Sequence, residues 1–369
     1  MNQSIDETEL GNSSIPEYIL NMRNTTAVLF PVLYTFVLLI GVTGNVLVIY
    51  VIISNKHMRT CPNMLFLNLA VSDLLFLVFC VPLQAAFFVT KYQLKIGTHA
   101  CKMLKYTTFV STAVGAYSLA AICAFRCRAI VSPIQASRFL TTRHSMMTSL
   151  IIWLVMLAVN TPLAIYYREN GQCTTADDIS DQSLALLLTV MLGADFLLPV
   201  LFVIGATAVI VRHFQAHSIL SEHPSVTANG YNRKVIVVVI AVAAIFVVCW
   251  GPFNFLVLFA TLGGKADRKV MPFVSLVTTF LAYSNSCLNP IIYNFASNEF
   301  RKSFRKTVKG AWCLRGLSNR KDGRMSRVTD RTGRDNGTTM QDFSSSRMSR
   351  RASERTTLSA EFAEKPCVP

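Results

Sequence analysis

Charged side chains are scarce in this sequence. Of its 369 residues, 15% are Asp, Glu, Lys or Arg and 52% are hydrophobic, with a mean hydropathy of +0.43. This composition excludes an ordinary soluble globular protein. The apolar stretches also lack the period-two alternation over about ten residues that is typical of membrane β-barrel strands. Both absences favour membrane-spanning helices.

Apolar runs that are long enough to cross a bilayer, which takes about 20 residues, recur along the chain. They predict seven spans, at residues 27–53, 64–90, 100–130, 144–167, 183–211, 235–260 and 271–294. Helices suit these lengths, because a backbone that faces lipid must satisfy its own hydrogen bonds. The predicted fold class is therefore an all-α membrane protein, with a seven-transmembrane helix bundle over residues 27–294.

The segments that flank the bundle differ in charge. Residues 1–26 carry four acidic residues and one Arg, whereas residues 301–369 hold 17 Lys or Arg and 7 Asp or Glu. Because positive charge stays on the cytoplasmic side, we expect an outside N-terminus and a multi-pass plasma-membrane protein. We expect no removable signal peptide, since no apolar core with a cleavage site precedes the first span. Three predicted N-glycosylation sites in the outer tail agree with this orientation: Asn2, Asn12 and Asn24.

The chain beyond the last span predicts membrane contact and regulation. Residues 295–308 are amphipathic and predict a helix on the inner membrane surface, and Cys313 is a predicted palmitoylation site. The basic, polar residues 309–369 predict a disordered cytoplasmic tail. Ser353 follows two arginines and an alanine, which suits a kinase, and phosphates in this tail would bind arrestin. The basic excess favours membrane lipid as a partner and not nucleic acid.

Features that other functional classes require are missing. The sequence has no visible internal repeat, which argues against many secondary transporters. A transporter or channel remains an alternative, although the acids at depth are mainly Asp73 and Asp195. No metal-ligand spacing or nucleophile–base set supports an enzyme.

The ten cysteines do not predict a disulfide framework. Most lie inside the predicted spans or on the cytoplasmic side, where thiols stay reduced. With this topology, Cys101 and Cys173 alone face the oxidising exterior. We expect one disulfide from the top of the third span to the loop between the fourth and fifth spans. Two free thiols are the alternative.

Seven short motifs occur in order along the chain. They are Gly44-Asn45, LNLAVSD at 67–73, Cys101, Trp153, Pro199, CWGP at 249–252 and NPIIY at 289–293. In this order they resemble the rhodopsin-like (class A) G-protein-coupled receptors over residues 27–308. Residues 69–85 and 281–304 look like the galanin, allatostatin-A and kisspeptin receptors. The resemblance implies a neuropeptide receptor that activates a heterotrimeric G protein when the sixth helix moves outward.

The resemblance also implies roles for residues in the core. A sodium and water pocket, with sodium as an allosteric ion and no other cofactor, would be formed by Asp73, Asn45, Asn285, Ser286 and Asn289. A hydrogen-bonded cluster without an ion is the alternative, and Gly115 stands where many relatives have a serine ligand. The activation switch would consist of Trp250, Pro252, Pro290 and Tyr293.

Two positions exclude ligand classes by resemblance. Thr108 replaces the Asp of amine receptors, and Tyr283 replaces the retinal lysine of opsins, so an extracellular peptide remains. The residues predicted to bind it are Gln84, Lys105, Thr108, Phe109, Asp195, Phe253, Asn254, Thr279 and Tyr283. Asp195 either meets a basic or amide group of the ligand, or has an internal partner on the third or sixth span, or carries a proton. The acidic loop 168–182 would steer a cationic peptide inward.

By resemblance, the G protein contacts Arg126, Cys127 and Pro133. In most relatives an acid precedes this arginine and holds it in the resting state, but here the preceding residue is Phe125. Thr207 replaces a tyrosine that usually supports the active state. The first change should raise basal activity and the second should weaken activation. A peptide-binding decoy receptor with weak coupling is therefore the alternative function.

Overall fold

The structure of the protein is a computed structural model. It describes residues 17–91, 93–170, 172–175, 180–220, 226–264, 270–296 and 301–306. The predictions for the outer sequons, the palmitoylation site, the phosphorylation site and the tail lie outside the described residues: Asn2, Asn12, Cys313, Ser353 and 309–369.

The described chain is mainly helical. Its long and short α-helices, in chain order, are α1, Glu17–Ser54; α2, Cys61–Val89; α3, Thr98–Val131; α4, Pro133–Phe139; α5, Thr142–Val159; α6, Thr161–Tyr166; α7, Asp181–Leu192; α8, Leu198–Leu220; α9, Val226–Thr261; and α10, Met271–Ala296. A 3-10 turn, Lys56–Met58, follows α1, and a π-helical segment, Gly193–Leu197, joins α7 to α8. Residues 301–306 are also helical.

Each of the seven predicted spans is present as a helix. The fourth consists of α5 and α6, and the fifth consists of α7, the π-helical segment and α8. Within the described ranges, six helices are long and apolar enough to cross a bilayer. The seventh span, α10, has 26 residues but buries four polar side chains, so it is less apolar. The predicted all-α bundle is confirmed.

Several helices extend beyond the apolar runs that predicted them. α1 begins at Glu17 and not near residue 27, so it includes part of the predicted outer tail. α8 reaches Leu220 and α9 begins at Val226, so most of the segment between the fifth and sixth predicted spans, 212–234, is helical. The physical reason is that hydropathy marks only the lipid-embedded part of a helix, whereas an established helix gains one hydrogen bond per added residue.

Most prolines named here lie inside helices. Pro31, Pro82, Pro252 and Pro290 lie inside α1, α2, α9 and α10. Pro162 instead stands in the first turn of α6, where a missing backbone N–H leaves no helical bond unmade. Pro199 follows the π-helical segment without a break in the helix, so its missing N–H removes one helical bond. The fourth span is therefore interrupted, and the fifth passes through a π-helical segment before its proline.

α3 lies at the centre of the bundle, where it packs against α2, α5, α6, α8 and α9. α1 packs against α2 and α10. A Cβ added at Gly41 would lie 2.7 Å from Leu77 Cδ1, and one added at Gly44 would lie 2.8 Å from Pro290 Cβ. Glycine at these positions therefore allows α1 to approach both neighbouring helices closely.

A polar link connects the second, third and fourth spans. Asn68 Nδ2 on α2 donates a hydrogen bond to Ser118 Oγ on α3, at 2.8 Å. Trp153 Nε1 on α5 donates to Asn68 Oδ1, at 2.9 Å. The three helices are thereby held in one relative orientation, which accounts physically for Trp153 and for the asparagine of the second-span motif.

An antiparallel hairpin covers the outer end of α3. Its strands are β1, Tyr167–Asn170, and β2, Gln172–Thr175. Cys173 on β2 forms a disulfide with Cys101 on α3, with Cα atoms 5.4 Å apart. The predicted disulfide is present, and it anchors the loop between the fourth and fifth spans to the third span.

A carboxylate holds the same hairpin against the start of α3. Glu169 on β1 accepts hydrogen bonds from the backbone N–H groups of Ile96 and Gly97. A carboxylate at a helix N-terminus satisfies unpaired N–H groups and suits the helix dipole. Glu169 is thus engaged within the protein, unlike the steering role predicted for it. The other acidic side chains predicted for this role lie outside the described part: Asp177, Asp178 and Asp181.

Candidate functional site

Three of the predicted ligand-binding residues meet around a buried thiol at the outer end. Thr108 Oγ1 donates hydrogen bonds to Leu104 O at 2.8 Å and to Cys80 Sγ at 3.3 Å. Tyr283 on α10 is 9% exposed and lies within hydrogen-bonding reach of Thr108. Lys105, one turn nearer the outside on α3, interacts electrostatically with the same thiol. We call Cys80, Lys105, Thr108 and Tyr283 the outer cluster.

The hairpin supplies a further wall of this cluster. Lys105 Nζ lies 5.4 Å from the centre of the Tyr167 ring on β1, which is a cation–π contact. Burial raises the pKa of the Tyr167 hydroxyl to about 12, so this side chain is neutral at physiological pH. Neither Cys80 nor Tyr167 was predicted from the sequence, because only the fold brings them beside the lysine.

The remaining predicted residues of the mouth differ in their contacts. Gln84, Phe109 and Thr279 are partly buried, and within the described residues their side chains make no hydrogen bond or ring contact. Asn254 Nδ2 donates to Trp250 O at 2.9 Å, and the Phe253 ring lies edge-on to the Trp250 ring. These five side chains are candidates for direct contact with a ligand.

Asp195 does not join the outer cluster. It is 7% exposed and lies in the π-helical segment, where its neighbours are Tyr117 on α3 and Asn160 between α5 and α6. Tyr117 also donates a hydrogen bond to Ala194 O at 2.8 Å. A π-helical turn frees backbone carbonyls from the regular ladder, and Tyr117 satisfies one of them. The internal neighbours of Asp195 are therefore on the third span, which was one of the expected alternatives, and on the fourth span, which was not expected.

The Asp195 carboxylate is poorly satisfied despite its burial. Asn160 is within hydrogen-bonding reach, but among the described residues no bond of normal geometry reaches either carboxylate oxygen. The Asn160 side-chain oxygen also has no partner among the described residues, and its Nδ2 donates to Met156 O at 3.1 Å. The two Asp195 oxygens and the Asn160 oxygen are thus buried acceptors without a hydrogen bond of normal geometry.

Asp73 lies at the centre of a second polar region, which includes residues predicted to form a sodium and water pocket. It is 6% exposed, and Asn289 Nδ2 donates a hydrogen bond to its Oδ2 at 2.8 Å. Asn45 Nδ2 donates to Gly41 O and Ser286 O, each at 2.9 Å. Helices α1, α2 and α10 are therefore joined around this carboxylate.

A cavity of about 20 Å³ adjoins Asp73, which is enough for one water-sized occupant. Two of its lining atoms, Ser111 Oγ and Asn285 Oδ1, are buried and have no hydrogen-bond partner among the described residues. Hard cations take oxygen ligands of these kinds, so the residues present fit a sodium ion or a water molecule. Gly115 lines the cavity but offers no side-chain oxygen. Ser111 was not predicted.

Aromatic rings connect the outer cluster to the predicted switch. The Phe76 ring lies 4.8 Å from the Tyr283 ring and 6.4 Å from the Trp250 ring, centre to centre. Trp250 also lines the cavity beside Asp73, and its ring lies 6.1 Å from that of Phe253. Phe76 was missed because an aromatic residue in an apolar run looks like core or lipid-facing packing. Its position one turn after Asp73 was the only available signal.

The ring contacts continue toward the outer ends of α1 and α2. The Tyr34 ring lies 5.6 Å from that of Tyr283, and Phe30 stacks on Phe88 at 4.8 Å. At the outer end of α1, Asn24 is exposed and its Oδ1 accepts a hydrogen bond from Lys91 Nζ at 2.8 Å. A glycan is attached through Nδ2, so this bond is compatible with the predicted modification.

The inner end of α3 carries the predicted G-protein contacts. Arg126 and Cys127 are partly buried, and Arg126 interacts electrostatically with Cys61 at the start of α2. Phe125 packs against the main hydrophobic core. Pro133 is exposed and begins α4. Phe125, at the position where the resemblance led us to expect an acid, is thus part of the apolar packing.

The last described helix contacts the first inner turn. His57 and Ser303 share a hydrogen bond of 3.2 Å, and Phe304 packs against the core. These contacts agree with the amphipathic helix predicted over 295–308, of which residues 301–306 are described. Tyr293 lies in α10, and its side chain is outside the described part.

The chain is similar in sequence to known proteins over most of its length. The family model described as "7 transmembrane receptor (rhodopsin family)" matches residues 44–293. The allatostatin-A receptor of Bombyx mori is 27% identical over 349 residues, covering 91% of this chain and 95% of the relative. G-protein coupled receptor 54 of Oreochromis niloticus is 31% identical over 307 residues (77% and 79%). Galanin receptor type 2 of Rattus norvegicus is 30% identical over 308 residues (81% and 80%).

Proposed function

Because the chain belongs to the rhodopsin family of seven-transmembrane receptors, we propose that it binds an extracellular peptide and activates a heterotrimeric G protein. It is a multi-pass plasma-membrane protein. Two of its relatives carry the names of allatostatin-A and galanin receptors, which supports a neuropeptide ligand. The observation that carries the proposal is the ring contact of Phe76 with both Tyr283 and Trp250.

The proposed mechanism runs from the outer cluster to α9. A peptide that contacts Tyr283 or Phe253 changes the packing of Trp250 directly or through Phe76. Trp250 stands two residues before Pro252, where α9 lacks a backbone hydrogen bond and can bend. An outward swing of the inner half of α9 then opens the site beside Arg126. The ligand shifts this equilibrium only by its differential affinity for the two states.

The cavity beneath Trp250 contributes to the resting state in this proposal. Asp73, Ser111 and Asn285 would hold a sodium ion there, whose positive charge would compensate the buried carboxylate. Closure of this cavity in the active state would couple sodium binding to peptide affinity. The coupling is reciprocal, because each ligand biases the same equilibrium.

A screen of neuropeptides against cells that express the full chain tests the ligand class, with second messengers as the readout. We expect an activating peptide, and we expect Phe76→Leu to lower the maximal response at equal surface expression. Phe79→Leu is the matched control, because Phe79 lies on the same helix but is 58% exposed. Equal responses of both variants and the wild type would contradict the proposed route through Phe76.

The altered arginine motif supports a second proposal, a shifted basal activity. Because position 125 is Phe, it supplies no carboxylate to Arg126, and an ion pair from that position would contribute on the order of 1–3 kcal/mol to the resting state. We expect Phe125→Asp to lower ligand-free signalling severalfold. Phe125→Leu, which restores no charge, is the control. If Phe125→Asp leaves basal signalling unchanged, the proposal of a shifted basal activity is wrong.

A decoy receptor is the alternative, and Phe125 with Thr207 is the feature that favours it. It predicts peptide binding without a second-messenger response in every G-protein background. Regulation by a receptor kinase at Ser353, arrestin binding and palmitoylation at Cys313 stay predictions. Phosphate incorporation and arrestin recruitment after peptide addition would test the first two.

A further inference from the structure

Lys105 is a charged side chain at the centre of the outer cluster. It is partly buried between the hairpin and the second span, with Nζ 5.4 Å from the Tyr167 ring centre. Its other electrostatic neighbour is Cys80, a fully buried thiol that accepts a hydrogen bond from Thr108. Tyr167 stays a neutral phenol, because burial raises its pKa to about 12. Among the described residues, the groups next to Lys105 therefore carry no negative charge.

Three carboxylates have side chains that the structure describes, and each has other surroundings. Glu169 is bonded to the backbone at the start of α3. Asp195 lies beside Asn160, and Asp73 is bonded to Asn289. In the part of the chain that the structure describes, no carboxylate forms an ion pair with Lys105.

A cation that has lost part of its hydration is only partly compensated by an aromatic ring. An anion within a few ångströms attracts it more strongly than a ring does, and the attraction grows where water is excluded. The predicted ligand-binding residues Gln84, Phe109 and Thr279 are neutral as well. Since no described carboxylate pairs with Lys105, a ligand group that approaches its ammonium gains most when it carries a negative charge.

We propose that the peptide ligand presents a carboxylate to Lys105. This inference rests on the proposed function and adds the charge of the group that enters the outer cluster. The carboxylate belongs either to an Asp or Glu side chain or to a free C-terminus. This proposal gives the ligand group a negative charge, whereas Asp195 in the sequence predicted a basic or amide group of the ligand.

Paired synthetic peptides test the assignment on the full chain in cells. Each activating sequence from the screen is made as a free acid, as a C-terminal amide, and with each Asp or Glu replaced by Asn or Gln. Potency and displacement of a labelled peptide are measured on the wild type, Lys105→Gln and Lys105→Arg. Lys102→Gln is the matched control, since Lys102 is a neighbouring lysine of the same helix and forms no part of the outer cluster.

On the wild type we expect one neutral form to be at least tenfold weaker than its acidic twin. Loss on C-terminal amidation identifies a terminal carboxylate, and loss on Asn or Gln substitution identifies a side chain. Lys105→Gln should abolish this difference, whereas Lys105→Arg and Lys102→Gln should keep it. A charge-swapped pair, Lys105→Glu with an amine-bearing peptide, should regain part of the lost potency.

Two results would overturn the inference alone. Acidic and neutral twins of equal potency on the wild type would show that no carboxylate is needed. A Lys105→Gln variant that weakens all peptide forms equally would show that the lysine has an internal role. If no peptide activates or binds the chain at normal surface expression, the proposed function fails, and this inference fails with it.

Discussion

Asp73 and Asp195 are the same residue type at nearly the same burial, 6% and 7% exposed, in one membrane bundle. Asp73 receives a hydrogen bond from Asn289 and adjoins a cavity lined by oxygen atoms. Asp195 stands beside Asn160 in a π-helical segment, and no described donor reaches its oxygens with normal geometry. Burial alone therefore does not identify a functional carboxylate, whereas converging donors and a neighbouring cavity do.

The difference arises from the helices that face each residue. Amide and hydroxyl groups of α3 and α10 lie around Asp73, and its removal would leave the Asn289 amide without an acceptor. At Asp195 no described donor reaches the carboxylate oxygens with normal geometry, so its removal would leave fewer unsatisfied atoms. The two sites should therefore respond differently to the same substitution.

The largest effect is expected for the pair Asp73→Leu and Asp195→Leu in thermal unfolding of the purified protein. Asp73→Leu should lower the free energy of unfolding by about 1–3 kcal/mol, because the Asn289 amide loses its buried acceptor. Asp195→Leu should be neutral or stabilising, because an apolar side chain replaces an unsatisfied polar group. Losses of equal size would show that a donor satisfies Asp195 in the folded protein.

A smaller effect is expected at the wall of the cavity beside Asp73. Gly115→Ser adds an oxygen at a position where a Cβ would lie 3.8 Å from Ser72 Oγ and 3.3 Å from Leu69 Cδ1. Peptide affinity should then fall by about fivefold or more when sodium chloride replaces choline chloride. Gly205→Ser is the control, since a Cβ there meets open space. If sodium changes the peptide affinity of Gly115→Ser no more than that of the wild type, the proposal that this pocket binds sodium is wrong.

The smallest effect is expected for Asp195→Asn in peptide activation. Potency should stay within about threefold of the wild type, since the contacts of Asp195 are internal and an amide can donate to Asn160 Oδ1. Dose–response curves at matched surface expression measure this. A tenfold or larger loss would return Asp195 to the ligand-binding residues predicted from the sequence.

The sequence predicted the spans and the disulfide well, because each depends on a strong signal. A bilayer requires long apolar helices. Disulfides form on the oxidising outer side, where the predicted topology places two cysteines. The extent of α1 and the partners of Asp195 could not be predicted in the same way. Hydropathy does not show where a helix ends once the chain has left the bilayer. It also does not show which side chains of a helix face a given neighbour.

Composition and motif order thus determined the family, the topology and the positions of the buried acids. The tertiary structure decided which of these residues face each other. The π-helical segment that carries Asp195 holds its carboxylate beside Asn160 of the fourth span. Likewise, only the folded hairpin brings Tyr167 to Lys105 and Glu169 to α3. Contacts between distant segments depend on packing, which a single sequence does not display.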